Sequence, residues 1–317
     1  MSRLCVLGYD ALDIELVEKF DLPNLKQSEY GKTDISEFDK ASTPILWGSA
    51  ITGKNLEPKF TEEKGNETMR GITRKPYHVL KGYSPSLAIM ARKILMKIGV
   101  LGKIRGSVFR VNVRDDLGLD TIFDDNGRKG VNIPALNQDN NTKYTMDDYF
   151  RRDIDDDEYV GEIWNCFERT KEKFLEHFDK ELVMAWFCPA DRVGHIFRPD
   201  LDVMEETYRR LDDFAGRVRE EFDGDVMIIS DHGMKEMGDF GDHSDISYGY
   251  WSFSRDLGLR NPKLVDFRYI VEDILDDSFD PSKYNQGEIE EMEEREREHS
   301  DDEAEIKSRL EELGYFD

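Results

Sequence analysis

An α/β fold with a mostly parallel central sheet is what this sequence predicts, on three observations. Short unbroken apolar runs at 4–7, 182–188 and 226–229 are bounded by breakers, which suits strands buried on both faces. Stretches with apolar residues at helical spacing alternate with those runs, and that order implies parallel strands joined by right-handed crossovers. Each run also empties into polar chemistry: Asp10 follows the first, Asp191 and His195 the second, Asp231 and His232 the third. Open α/β sheets hold their ligands at the carboxyl ends of strands. A chain of 317 residues has room for one large domain of this kind with an insertion.

Taken in order, the first strand ends at Gly8-Tyr9-Asp10, and 13–17 reads as a helix start with acids in its first turn, where the helix dipole favours them. In the stretch 41–53, Pro44 fits the first helical position and Gly53 the residue past the end, which makes Thr43 the expected N-cap. An anion held there would meet free backbone N–H groups and the positive end of the helix. Residues 119–134 resume the alternation: Thr121-Ile122-Phe123 begins a helix, Asn126-Gly127 breaks it, and Val131-Asn132-Ile133-Pro134 is a strand leaving into a loop. Residues 156–180 form an amphipathic helix with Val160, Ile163, Trp164, Phe167 and Phe174 on one side, and 201–222 another with Met204, Tyr208, Leu211 and Phe214. A strand over 248–253 and a helix over 264–275 follow, and 288–313 is a very acidic helical tail.

The net charge of −25, with 36 % charged residues, sits beside well-formed apolar runs, so global disorder is excluded. Surplus acid gives solubility and opposes contact with nucleic acid, whose footprint needs the opposite sign. Adaptation to a salt-rich cytoplasm would explain it. Cys5, Cys166 and Cys188 are odd in number and widely spaced, which implies neither a disulfide framework nor a zinc ribbon. No apolar leader precedes the first strand and no apolar run approaches the ~20 residues of a membrane span. A cytoplasmic protein is expected.

Each motif has a plain structural reading as well. Asp10 alone would serve as a turn former, and Asp191 with His195 has the i, i+4 spacing of neighbours on a helix face. His243, after Gly241-Asp242, would suit a surface loop, and His78, His177 and His299 lack any such context. Asp231-His232 is stronger, because two hydrophilic residues at the end of a buried strand have no packing purpose. Jointly, three aspartates and three histidines offer the mixture of carboxylate and imidazole that suits zinc, manganese or iron. Beside such metals, the Thr43 hydroxyl at a helix N-terminus would become a competent nucleophile.

The set Gly8-Tyr9-Asp10, the stretch from Thr43-Pro44 to Thr52-Gly53, Asp191 with His195, Ser230-Asp231-His232-Gly233 and Gly241-Asp242-His243 resembles the alkaline phosphatase superfamily, in particular its type I phosphodiesterase/nucleotide pyrophosphatase branch. The resemblance covers most of residues 1–275. It implies a three-layer α/β/α sandwich and two divalent metal ions, zinc by preference with manganese as the alternative. In that pattern Asp191, His195 and His243 bind one ion, and Asp10, Asp231 and His232 the other. Thr43 is the nucleophile beside it and a ligand when deprotonated; its registration, rather than that of Ser42, rests on the distance to Thr52-Gly53. Sulfatases of the same superfamily place Cys or Ser at the nucleophile with an Arg a turn later, where this chain has Thr43 and Trp47. The large inserted domain of the phosphoglycerate mutase branch has no counterpart between Gly53 and Asp191.

The implied function is hydrolysis of phosphate esters, as a phosphodiesterase or nucleotide pyrophosphatase working through a phospho-threonine. Phosphomonoester hydrolysis or phospho-group transfer is the alternative within the superfamily; a non-catalytic binding or scaffold protein is the alternative from another class. The expected domains are a catalytic unit over 1–280, with a basic insertion or lid at 68–114, and an acidic tail over 281–317. The insertion carries eleven Lys or Arg and no Asp or Glu. Ser84-Pro85 reads as a helix cap within it, and Leu87, Met90, Ala91, Ile94, Leu95 and Ile98 fall at helical spacing away from Arg92, Lys93 and Lys97. Such a helix can pack on the sheet and balance the acidic body, receive an anionic small-molecule or lipid-linked phosphate ester, or lie on an anionic membrane surface.

Overall fold

The three apolar runs become the three central strands. The computed structural model describes residues 2–39, 41–62, 111–139, 148–149, 154–238, 240–243 and 246–289. Its first half contains β1 (Leu4–Tyr9), α1 (Ile14–Lys19), α2 (Pro23–Lys26), β2 (Glu29–Asp34), α3 (Thr43–Thr52), α4 (Glu57–Glu62) and β3 (Arg128–Val131). The second contains α5 (Asp156–Leu175), β4 (Leu182–Phe187), α6 (Pro189–Phe197), α7 (Leu201–Glu221), β5 (Asp225–Ser230), the hairpin of β6 (Lys235–Met237) and β7 (Phe240–Asp242), β8 (Tyr248–Phe253) and α8 (Phe267–Leu275). The six-stranded sheet runs β2-β8-β5-β1-β4-β3. Strands β3, β4, β1 and β5 are parallel, while β8 is antiparallel to β5 and β2 to β8.

Side chains alternate across a strand, so a strand buried on both faces feeds two cores. In β1, Cys5, Leu7 and Tyr9 enter one cluster with Val183, Ala185 and Phe187 of β4 and Val226 and Ile228 of β5. Leu4 and Val6 enter the other with Leu182, Met184, Trp186, Met227 and Ile229. Helices α5 and α7 cover the first face through Ile163, Phe167, Phe174, Leu211 and Phe214. Helices α3 and α8 cover the second through Leu46, Trp47, Ile270 and Ile274. Three layers, α/β/α, result.

Packing fixes where α3 begins. A Cβ on Gly8 would lie 2.8 Å from the Trp47 ring, so the bare backbone of β1 lets α3 press onto the strand and brings its N-terminus to the Asp10 end. Gly53 closes α3 in the left-handed region at φ 69°, the helix-ending geometry its position predicts.

The structure departs from the sequence reading in several places. Ser42, not Thr43, is the N-cap of α3, and its side chain makes no cap hydrogen bond; Thr43 is the first helical residue. Ile45 and Leu46 both donate their N–H to Ser42 O, at 2.8 and 2.9 Å, and Pro44 has none, so the expected set of free N–H groups shrinks to that of Thr43. Residues 121–124 form a turn instead of a helix, because the Asp124 carboxylate captures the Thr121 N–H at 2.7 Å. Strand β2, polar and paired with β8 apart from a single bridge from Asp34 to Lys263, and the β6–β7 hairpin were not anticipated. The basic segment lies outside the described residues as far as 110; at its end Arg114 pairs with Asp124. The tail lies outside them from 290, and before it Tyr284 packs into the second core. No helix among the described residues is long and apolar enough to cross a membrane.

Candidate metal centre

The residues singled out by the sequence meet at the carboxyl end of the parallel strands. Asp10 follows β1 and donates its N–H to Phe187 O at 2.9 Å, which locks it to the end of β4. Asp231 and His232 leave β5, and both are fully buried. Pro189, which reads as a breaker, instead starts α6, so Asp191 and His195 project from one face of a helix one turn apart. His243 follows β7. The open choice between a helix-face pair and a convergent pair resolves as both at once.

One ligand atom each from Asp191, His195 and His243 lies within 4.8 Å of the others, and the same holds for Asp10, Asp191 and His232. Asp191 thus belongs to both groups. Asp231, expected in the second, is adjacent, with its Oδ2 3.5 Å from His232 Nε2; Asp10 Oδ1 is also 3.5 Å from that nitrogen. The His232 and His243 rings stack with centroids 4.1 Å apart, and His195 and His243 lie at 5.1 Å. Thr43 Oγ1 sits 3.4 Å from Asp10 Oδ1. All seven predicted residues are therefore brought together.

The imidazoles are oriented from behind. His232 Nδ1 faces Gly233 O at 3.0 Å and His195 Nδ1 faces Gly241 O at 3.1 Å. A carbonyl accepts only from the N–H tautomer, so each Nε2 keeps a lone pair for the site, as at metal-bound histidines. Four buried polar atoms here have no hydrogen-bond partner: Asp191 Oδ1, Asp231 Oδ2, His232 Nε2 and His243 Nδ1. Asp191 Oδ1 lies 3.2 Å from His195 Nε2, a contact without hydrogen-bond alignment. Orphaned buried acceptors cost about 1–3 kcal/mol each, and four around one space fit a divalent cation.

The electrostatics carry the same message. Burial, then the charges of Asp231 and Asp191, push Asp10 well above the carboxylate range. Burial, with Asp191 adding, lifts Asp231 to about 8. Burial also pushes Asp191 up, but His195, His243 and His232 around it win, and its carboxyl is held far below its usual value. His243 is driven well down, by burial first and then by His232 and His195. Without a cation the cluster takes up protons it would otherwise lack; a divalent ion would replace them.

Sequence reasoning missed the supports. Arg198 donates through Nε to Met234 O at 3.2 Å, and Ser230 Oγ accepts from Leu12 N–H at 2.8 Å while donating to His232 O at 2.8 Å. Nothing local in the sequence marks Arg198. A cleft of about 290 Å³ lies apart from these residues, between β3 and α5, lined by Lys129, Asn132, Arg169, Thr170 and Lys173 among others.

Residues 105–253 match the family model described as type I phosphodiesterase / nucleotide pyrophosphatase. That span contains Asp191, His195, Asp231, His232 and His243; Asp10 and Thr43 precede it. No curated protein matches the chain. Among solved structures, it is similar to the PH0037 protein from Pyrococcus horikoshii at 13 % identity and a TM-score of 0.38, over 88 % of this chain and 98 % of that one. It is also similar to the C-terminal periplasmic domain of EcEptC from Escherichia coli at 12 % identity and a TM-score of 0.36, over 94 % and 88 %. The zinc complex of that domain aligns at 10 % identity and 0.39, with the same coverage. The likeness to the type I phosphodiesterase / nucleotide pyrophosphatase family is thus carried by the sequence of residues 105–253.

Proposed function

We propose that this protein is a metal-dependent hydrolase of phosphate diesters, with Thr43 as its nucleophile. The family match over residues 105–253 supports a phosphoester hydrolase-type enzyme. The observation that carries the finer reading is the convergence of four orphaned buried polar atoms beside the Thr43 hydroxyl. Asp191, His195 and His243 would hold one divalent ion, and Asp10, Asp231 and His232 a second, with Asp191 within reach of both. Mixed nitrogen and oxygen donors favour zinc, with manganese next. Such ions lower the pKa of a bound hydroxyl and neutralise charge on phosphoryl oxygens.

The chain's own part follows. Thr43 Oγ1 attacks phosphorus, its proton passing toward the Asp10 carboxylate 3.4 Å away. The ester oxygen leaves as the new P–O bond forms, and water then cleaves the phospho-threonine and restores the hydroxyl. The N-terminus of α3 lends the positive end of a ten-residue helix to the phosphoryl group. Small-molecule and lipid-linked phosphate esters both suit this chemistry, and the basic segment at 68–114 is proposed to meet the anionic substrate.

Metal analysis coupled to hydrolysis of paired aryl phosphodiester and phosphomonoester substrates tests the reading. Activity lost on chelation and recovered with zinc or manganese, with the diester preferred, is expected. Thr43→Ala should lower turnover by about 10³-fold or more without loss of metal. Full activity in metal-free protein, or wild-type turnover in Thr43→Ala, would overturn it.

A further inference from the structure

Three of the segments that carry the site meet again at the backbone of one residue, Met234. Asp13 lies three residues after Asp10 and is 1 % exposed. Its Oδ1 caps α1 by accepting from Glu15 N–H at 2.8 Å, and its Oδ2 accepts from Met234 N–H at 3.0 Å. Arg198 lies three residues after His195, is 6 % exposed, and grips the other side of Met234 through its carbonyl at 3.2 Å. Met234 itself is two residues past His232. The loop after β1, the loop after β5 and the end of α6 are thus tied at both hydrogen-bonding groups of one residue.

The tie has a reason to be tight. Ala11, between Asp10 and Asp13, sits at φ 56°, a left-handed conformation that a residue with a Cβ keeps only when its surroundings impose it. Leu12 N–H reaches Ser230 Oγ and Asp13 N–H reaches Tyr208 Oη, both at 2.8 Å, so the two residues after Ala11 are both pinned. Hydrogen bonds behind metal ligands set ligand direction, and loss of such support typically lowers metal affinity by about 10–100-fold.

We infer that Asp13 and Arg198 are positioning residues that hold Asp10, His195 and His232 in metal-binding register through the backbone of Met234, an inference that rests on the metal-site reading above. An Asn at position 13 keeps the shape, but its amide can accept from only one of the two N–H groups and presents a donor to the other. Asp212 supplies a matched control: it is 6 % exposed, and its carboxylate accepts from Leu25 N–H at 2.8 Å and Asn24 Nδ2 at 2.9 Å, tying α7 to α2 and no ligand-bearing loop.

Metal-stripped wild type, Asp13→Asn, Arg198→Met and Asp212→Asn are titrated with Zn²⁺ against a chromophoric chelator, and the thermal midpoint of each metal-free form is recorded. The expected result is a loss of Zn²⁺ affinity of about 10–100-fold in Asp13→Asn and Arg198→Met, and wild-type affinity in Asp212→Asn despite a comparable fall in midpoint. Should Asp13→Asn not fold, Arg198→Met decides. Wild-type affinity in the folded site variants, or an equal loss in Asp212→Asn, overturns the inference while leaving the metal site intact. A wild-type protein that takes up no Zn²⁺ overturns the metal-site reading and this inference with it.

Discussion

The two halves of the candidate centre are built differently. Asp10, Asp231 and His232 are 3 %, 0 % and 0 % exposed, stand at the ends of the two innermost parallel strands, and are cross-linked through Ser230 and Met234. Asp191, His195 and His243 are partly exposed, and stand on a nine-residue helix and on the loop after a three-residue strand. Strand ends in a doubly covered sheet cannot shift without disturbing two cores, whereas a short helix and a hairpin can. On the mechanism proposed above, the first half would fix Thr43 beside the Asp10 carboxylate, and the second, partly exposed, would be the side a substrate reaches.

The largest expected effect separates the halves directly. His232→Ala should remove turnover by on the order of 10³-fold or more and also destabilise the fold, because it hollows a fully buried position. His195→Ala should also impair turnover but leave the thermal midpoint of the metal-free protein nearly unchanged. Equal midpoints for the two variants would dissolve the distinction.

A smaller effect is expected where α3 leans on β1. Gly8→Ala drives a methyl group against the Trp47 ring and should cost about 1–3 kcal/mol, measured by denaturant unfolding. Because the same contact sets the Thr43 to Asp10 spacing, turnover should fall as well while the Michaelis constant holds. An unaltered turnover would show that α3 is positioned by something else.

The smallest effect is in pH. Asp231 is raised to about 8, and Asp10 is raised with it, so the folded metal-free protein binds protons that the unfolded chain has released. Its stability therefore increases as pH falls from about 8. His243 has a depressed pKa and opposes this only below its unfolded value near 6.5, so the window is pH 8 to 6.5, with a gain of about 1–2 kcal/mol. Thermal unfolding of chelated protein across that window checks it, and Asp231→Asn should flatten the slope. A midpoint that falls over the same range would contradict the buried-carboxylate account.

Much of this was legible because the central strands are buried on both faces: runs such as Leu182 to Phe187 have no polar alternation to blur them, and each delivers its polar residues at the end where the sheet topology gathers them. What escaped had a physical reason. Pro189 punctuates a strand and begins a helix with the same ring, so α6 was hidden behind its own start. The cap of α3 slipped by one residue, because Ser42 and Thr43 are both good caps and only packing chooses. Asp13 was visible as a helix-start acid, but its second contact, with Met234, spans 221 positions and has no local signature. Strand β2 (Glu29-Tyr30-Gly31-Lys32-Thr33-Asp34) has one fully buried residue, Thr33, and so lacked any apolar period to find.

That same polarity has a use. Among the described residues, strand β2 closes one side of the sheet and β3 the other, and an outermost strand is a template for a neighbouring chain. Lys32 stands mid-strand in β2 with its ammonium 4.2 Å from the Tyr248 ring centroid, and β3 is four residues long, with Arg128 and Lys129 in its first half. Charge and brevity at the two margins make each a poor partner for a foreign strand. The feature that concealed β2 in the sequence is thus the one that guards a sheet with so apolar an interior against recruiting copies of itself into an aggregate.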